Sequence, residues 1–141
     1  LSKIKKIPKN MLYRIIDYFN DNKELLNINN EPCLLHKDYH FSHIFVKENK
    51  ISGIIDMEWA IAGHNELDLV KSEWFMFDRF PEIEEHFLRG YKRYGNISKK
   101  FDRRRDIYKL ALLIGLIGLS YEMKNKLWFN YNIKKIGEIL R

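Results

Sequence analysis

Three aspartates in one short stretch constrain this chain more than any other feature. Asp38 follows the apolar run Cys33-Leu34-Leu35 by a few polar residues, Asp56 closes the run that begins at Ile51, and Asp68 lies between Leu67 and Leu69. Acids placed at the ends of apolar segments indicate a polar site built on the edge of a core, since a carboxylate is not buried without partners. Asp38 falls in the polar, aromatic segment His36-Lys37-Asp38-Tyr39-His40-Phe41-Ser42, which is too short for an element of its own and reads as a loop. A carboxylate on a loop and a second at a strand end, joined by one hairpin, suits phosphoryl transfer. One orients an attacking hydroxyl, and the other holds a divalent cation against phosphates.

The hairpin is read from two β-branched, alternating runs, His43 to Lys47 and Ile51 to Asp56, separated by Glu48-Asn49-Lys50. A turn centred on Asn49-Lys50 sets His43 opposite Asp56, Ile44 opposite Ile55 and Phe45 opposite Ile54. Opposed Cα atoms then lie roughly 4.5–5.5 Å apart, with the apolar side chains together on a buried face. Cys33 to His36 reads as a short buried strand, so the Cys33 thiol is expected to be buried and inert.

The remaining pattern is helical. Met11, Leu12, Ile15, Ile16 and Phe19 recur at helical spacing after Pro8, predicting a helix over about 9–27, followed by a turn-rich break over 27–32. Further helices are expected over 66–78, 81–94, 103–124 and 127–140, interrupted by Pro81, Gly95-Asn96 and Asn125-Lys126. The fold class is therefore α+β, mainly helical, with one short β-hairpin flanked by helices. With 141 residues, a single domain with its own core is expected.

The net charge of +6 comes largely from Lys3, Lys5 and Lys6, from 99–105, and from the last helix. These runs fall at element ends, without the aromatic-basic pattern of an RNA-binding sheet, a zinc-finger spacing or a helix-turn-helix. The reading is affinity for phosphate-bearing anions with no nucleic-acid partner. Leu110 to Leu119 is only about half of a membrane-crossing helix. It reads as a buried helix, with Gly115 and Gly118 admitting close backbone approach, no membrane partner and a cytoplasmic location.

The order His36-x-Asp38-x-x-x-x-His43-Ile44-x-Val46, hairpin, Ile54-Ile55-Asp56, then Gly63-x-x-x-x-Asp68-Leu69 resembles the aminoglycoside phosphotransferase and choline kinase-like superfamily, which has a protein-kinase-like fold. The flanking helices suit that family's carboxy-terminal lobe. The resemblance implies an ATP- or GTP-dependent transfer of the terminal phosphate to a hydroxyl of a small molecule. It puts Asp38 in the catalytic position, and Asp56 and His43 as the residues that hold the metal (Mg²⁺, or Mn²⁺) and through it the nucleotide. His36 becomes an anchor of the catalytic loop, and Asp68 a structural hydrogen-bond acceptor.

Two departures stand out. Lys37 occupies a place where glycine is common, and His43 one where asparagine usually supplies an amide oxygen; imidazole is the poorer partner for a hard cation. The family also places a nucleotide-binding lobe ahead of this segment, whereas residues 1–52 hold no glycine. The expectation is a carboxy-terminal lobe without its amino-terminal lobe, inactive by itself.

Acidic residues on the following segment, Glu73, Asp78 and Glu82, are candidates to bind an amine-bearing substrate such as an aminoglycoside, or form a solvated helix face. His40 and His64 are expected to face solvent. Two other readings remain open: a catalytically silent kinase-like binding domain, and a His/Asp metal-dependent hydrolase built on His36, Asp38, His40 and His43.

Overall fold

The structure, a computed structural model, describes residue 4 and residues 6–28 and 31–141. Lys3, Lys5 and the middle of the 27–32 turn lie outside the described residues. The chain forms two compact units, the first from residues 1–28 with 102–141 and the second from residues 29–101.

Three helices make the first unit: α1 (Lys9–Asn22), α4 (Phe101–Glu122, whose first residue belongs to the second unit) and α5 (Lys126–Ile139). Pro8 precedes α1 with extended backbone, where its missing N–H costs the helix nothing. A 3₁₀ turn over Lys23–Leu26 completes the helical stretch read from the periodicity. The apolar run of α4 is buried at Leu110, Leu113, Leu116 and Ile117, but Leu119 is exposed. A Cβ built at Gly115 or Gly118 meets nothing within 4 Å, so neither glycine serves a close approach. Asn125 starts α5 by accepting the Trp128 N–H at 3.0 Å, the usual work of an N-cap asparagine. Among the described residues no helix is long and apolar enough to cross a membrane.

The second unit carries four short strands, β1 (Cys33–Leu35), β2 (Ile44–Lys47), β3 (Lys50–Ile54) and β4 (Ile61–Gly63), then α2 (Glu66–Ser72) and α3 (Glu84–Tyr91). Strands β2 and β3 form the expected hairpin, in a different register. The turn is Glu48-Asn49, both left-handed at φ 52° and 59°. Positive φ at both central residues is the signature of the type I′ turn, whose twist matches that of paired strands. Lys47 pairs with Lys50 and Val46 with Ile51, then a bulge intervenes, and Phe45 pairs with Gly53 and Ile44 with Ile54. Ser52 is the extra residue, and it slides the open end of the hairpin by one position.

The hairpin is also not buried. Phe45, Val46, Ile51 and Ile54 are all exposed. Alternation told which side chains share a face, but not that the face is covered.

A second ladder was not foreseen: β1 pairs antiparallel with β4, Leu34 opposite Ala62 and Leu35 opposite Ile61. Leu35 is buried beneath it, whereas Cys33, at the outer end, is exposed with its thiol 3.6 Å from the Gly63 carbonyl. The expected burial of that thiol does not hold: Cys33 shares a face with Leu35, two residues on, but sits at the end of the strand, where it is exposed. The ladder returns the chain to α2 directly beside the segment that carries Asp38.

A Cβ at Gly63 would lie 2.7 Å from Leu35 Cδ1. Leu35 has little room to yield, so Gly63→Ala is expected to destabilise the fold by about 1–3 kcal/mol through overpacking. A lowered melting temperature by circular dichroism checks this.

Candidate active site

The loop between β1 and β2 is held by α2. Asp68, in the first turn of that helix, accepts the His36 N–H on Oδ2 at 2.6 Å and the Lys37 N–H on Oδ1 at 3.0 Å. Three residues on, and so on the same helix face, Lys71 donates its ammonium to the Lys37 carbonyl. The Lys37 peptide is thus gripped from both ends. It needs to be, because Lys37 sits at φ 71°. A residue with a Cβ pays about 1–2 kcal/mol for that conformation, which accounts for the frequency of glycine at this place.

His36 works as a bracket. The ring is buried; Nδ1 accepts the Asp38 N–H at 3.3 Å, which leaves Nε2 carrying the hydrogen that points at the Ile55 carbonyl at 2.9 Å. It therefore ties the loop to the strand end that presents Asp56.

His43 joins the two aspartates. Its Nδ1–H donates to the Asp38 carbonyl at 2.8 Å, and its Nε2 lies 3.2 Å from Asp56 Oδ2. The contact does not come from direct opposition across the hairpin. With Ile44 opposite Ile54, the backbone partner of His43 is Ile55, whose N–H it accepts at 3.0 Å. Asp56 instead turns left-handed, φ 66°, and this brings its carboxylate to the imidazole. The bulge and the turned aspartate together produce the approach that a simpler register was expected to give.

This donor set fits a divalent cation. With Nδ1 committed to a carbonyl, Nε2 faces a carboxylate oxygen 3.2 Å away, a spacing that a metal ion or a proton shared between them would satisfy. The nitrogen makes the pair better matched to Mn²⁺ than an all-oxygen set would be. Both carboxylates retain solvent access, with side-chain exposures of 33% for Asp38 and 41% for Asp56. Both can therefore meet a ligand.

His40 is part-exposed, with 26% of its side chain open to solvent, and it also packs into the site. Its ring lies 3.9 Å from that of His43, and its Nε2 is 3.6 Å from Asp38 Oδ2. Asp38, His40 and His43 offer ligand atoms within 4.8 Å of one another. However, His40 Nδ1 accepts the Ser42 N–H at 3.3 Å, so in the neutral ring Nε2 bears the hydrogen and has no lone pair for a metal. This counts against the hydrolase constellation. His64 is also part-buried, 3.7 Å from the fully buried Glu66.

Beyond α2 the chain continues in a π-helical turn, Glu73–Phe77. Its Phe75 lies 6.0 Å from the His40 ring, and Phe80 makes an edge contact with Phe41 at 5.4 Å. The segment with the candidate acids thus borders the loop. Asp78 and Glu82 are exposed on it, and Glu73 is part-buried. Behind the loop is a largely apolar cavity of about 460 Å³ lined by His36, Tyr39, Asp68, Phe87 and Tyr91. Burial raises the pKa of the Tyr39 phenol above its ordinary value. Lys71 was missed from the sequence; its spacing from Asp68 was the signal available.

This arrangement belongs to the kinase-like phosphotransferases. A fructosamine kinase family profile matches residues 3–124, and the chain belongs to that family. Among solved structures it is similar to a thermostable mutant of the aminoglycoside phosphotransferase APH(4)-Ia in its apo form, with a TM-score of 0.69 and 15% identity. The match covers 94% of this chain and 43% of that one, so the chain spans less than half of that protein's length. No curated protein sequence matches it. The fold is that of the carboxy-terminal lobe expected from the motifs.

Asp68→Asn removes one acceptor oxygen and turns an amide toward a backbone N–H. Hydrogen bonds to charged groups are worth about 1.5–3 kcal/mol each, and a loss of that size is expected in a urea unfolding curve.

Proposed function

We propose that these residues form the catalytic part of a nucleotide-dependent kinase acting on a hydroxyl of a small molecule. Asp38 orients the hydroxyl and accepts its proton. Asp56 and His43 hold the divalent cation, and His36 and Asp68 keep the loop in shape. The observation that carries this reading is His43, one imidazole that binds the Asp38 peptide with one nitrogen and faces the Asp56 carboxylate with the other.

The bound cation, when present, neutralises charge developing on the transferred phosphate. The rest falls to the chain's own side chains. Asp38 is fixed through its N–H, held by the His36 ring, and through its carbonyl, held by His43. Its carboxylate, beside the His40 ring, keeps a third of its surface open to meet the acceptor. In a loose phosphoryl-transfer transition state such positioning counts for as much as basicity.

The co-substrate is ATP or GTP, with Mg²⁺ or Mn²⁺. The family's description points to an amine-bearing sugar as acceptor, and exposed acids such as Asp78 and Glu82 beside the loop would suit the amine. The partial coverage of the structural neighbour supports a nucleotide cleft completed by residues beyond these 141. The 141 residues alone are then expected to turn over no ATP; robust turnover by them would refute that part.

In the protein as its gene encodes it, including any residues ahead of Leu1, Asp38→Asn is expected to lower kcat by about 10²–10⁴-fold. Phosphate transfer followed by ³¹P NMR measures it, and an unaffected rate identifies a silent binding domain instead. His43→Asn is expected to shift metal preference toward Mg²⁺, read as the ratio of rates with Mg²⁺ and with Mn²⁺. An unchanged ratio removes His43 from the metal.

A further inference from the structure

We propose that Lys71 is a positioning residue for Asp38, holding in place the peptide that carries the catalytic carboxylate. The inference rests on the catalytic role proposed for Asp38, and it concerns a residue that none of the motifs contains. Lys71 reaches from α2 to the Lys37 carbonyl, which is the acceptor half of the peptide bond leading into Asp38. Asp68, one helical turn earlier, takes the N–H of the same Lys37. Together the two side chains fix both polar groups of a residue whose left-handed backbone, φ 71°, does not suit a side chain. Without the ammonium, that peptide has a reason to rotate, and rotation moves Asp38.

The surroundings of the ammonium fit this role. It is part-buried and lies 5.9 Å from the centre of the Phe75 ring, which reinforces a cation. Burial lowers the Lys71 pKa, Asp38 raises it, the Lys37 charge lowers it and Asp68 raises it. The cation is thus coupled to the catalytic carboxylate as well as to its backbone. A lysine placed only for solubility would not be drawn into a half-buried site against a backbone carbonyl and an aromatic ring.

The test uses amide hydrogen exchange in the 141-residue chain, a measurement that needs no turnover. Lys71→Met is expected to reduce the protection of the amides at positions 37 and 38 at least tenfold, with helical amides such as that of Leu113 unchanged. Lys71→Arg, which keeps the charge and a donor, is expected to restore most of the protection. In a Lys37→Gly background, where the left-handed backbone carries no side-chain cost, Lys71→Met should matter less than threefold. Separately, Asp38→Asn is expected to move the Lys71 ammonium titration, followed by ¹⁵N NMR, to lower pH.

Unchanged protection in Lys71→Met overturns the proposal, as does an equal loss in both backgrounds. A Lys71 titration indifferent to Asp38→Asn also overturns it. None of these outcomes depends on whether the chain is a phosphotransferase, which the Asp38→Asn turnover assay decides independently.

Discussion

The carboxylate of Asp68, receiving two consecutive backbone N–H groups, is the contact on which the site depends. Its oxygens lie 2.6 Å and 3.0 Å from the His36 and Lys37 nitrogens, in the range of charge-assisted hydrogen bonds. Just past these two amides the chain turns at Lys37, which is left-handed at φ 71°. The turn puts Asp38 where its N–H meets the His36 ring, and the other nitrogen of that ring takes hold of Ile55. From one acid on a seven-residue helix, order passes to the loop and then to the hairpin.

Two of the strained backbone positions lie at the proposed site. Non-glycine residues with positive φ are Lys37, Glu48, Asn49, Asp56 and Lys124, and no described glycine has one. Glu48 and Asn49 make a turn. Lys37 and Asp56 are different, one preceding the aspartate proposed as catalytic and the other being the one proposed to face the metal. Such residues persist only where their surroundings over-determine them. For Lys37 the surroundings are Asp68 and Lys71; for Asp56 the contact is the His43 imidazole.

Much of this was legible in the chain. Helical periodicity located the helices to within a few residues, and the order of the aspartates along the motif-bearing stretch identified the kinase-like lobe. Other parts were hidden for physical reasons. Ile61-Ala62-Gly63 is too short for its alternation to be seen, and it becomes a strand only because Cys33-Leu34-Leu35 lies beside it. The turn falls at Glu48-Asn49, one residue earlier than expected, which puts the register two off beside the turn; the bulge at Ser52, which leaves no mark on a period of two, brings it back to one off at the open end. The Asp56 side chain still reaches His43, because a backbone dihedral restores what the register loses. Lys71 resembled any other helix-surface lysine, since its role depends on where a carbonyl lies more than thirty positions away in sequence.

The hairpin's open faces carry a consequence for how the chain behaves among its own copies. Among the described residues strands β2 and β3 pair only with each other, so each keeps an edge unpaired there, and both are studded with exposed Phe45, Val46, Ile51 and Ile54. Edges of this kind are templates for strand addition, and natural sheets guard them with charge. Here the guards are Lys47 and Lys50, paired across the turn end of the ladder. At the opposite end stand acids that bind a cation in the proposed reading, and neutralising them would weaken repulsion there. In that reading the two ends of one ribbon differ in what guards them: lysines at the turn, and at the open end acids whose charge depends on the ion they hold.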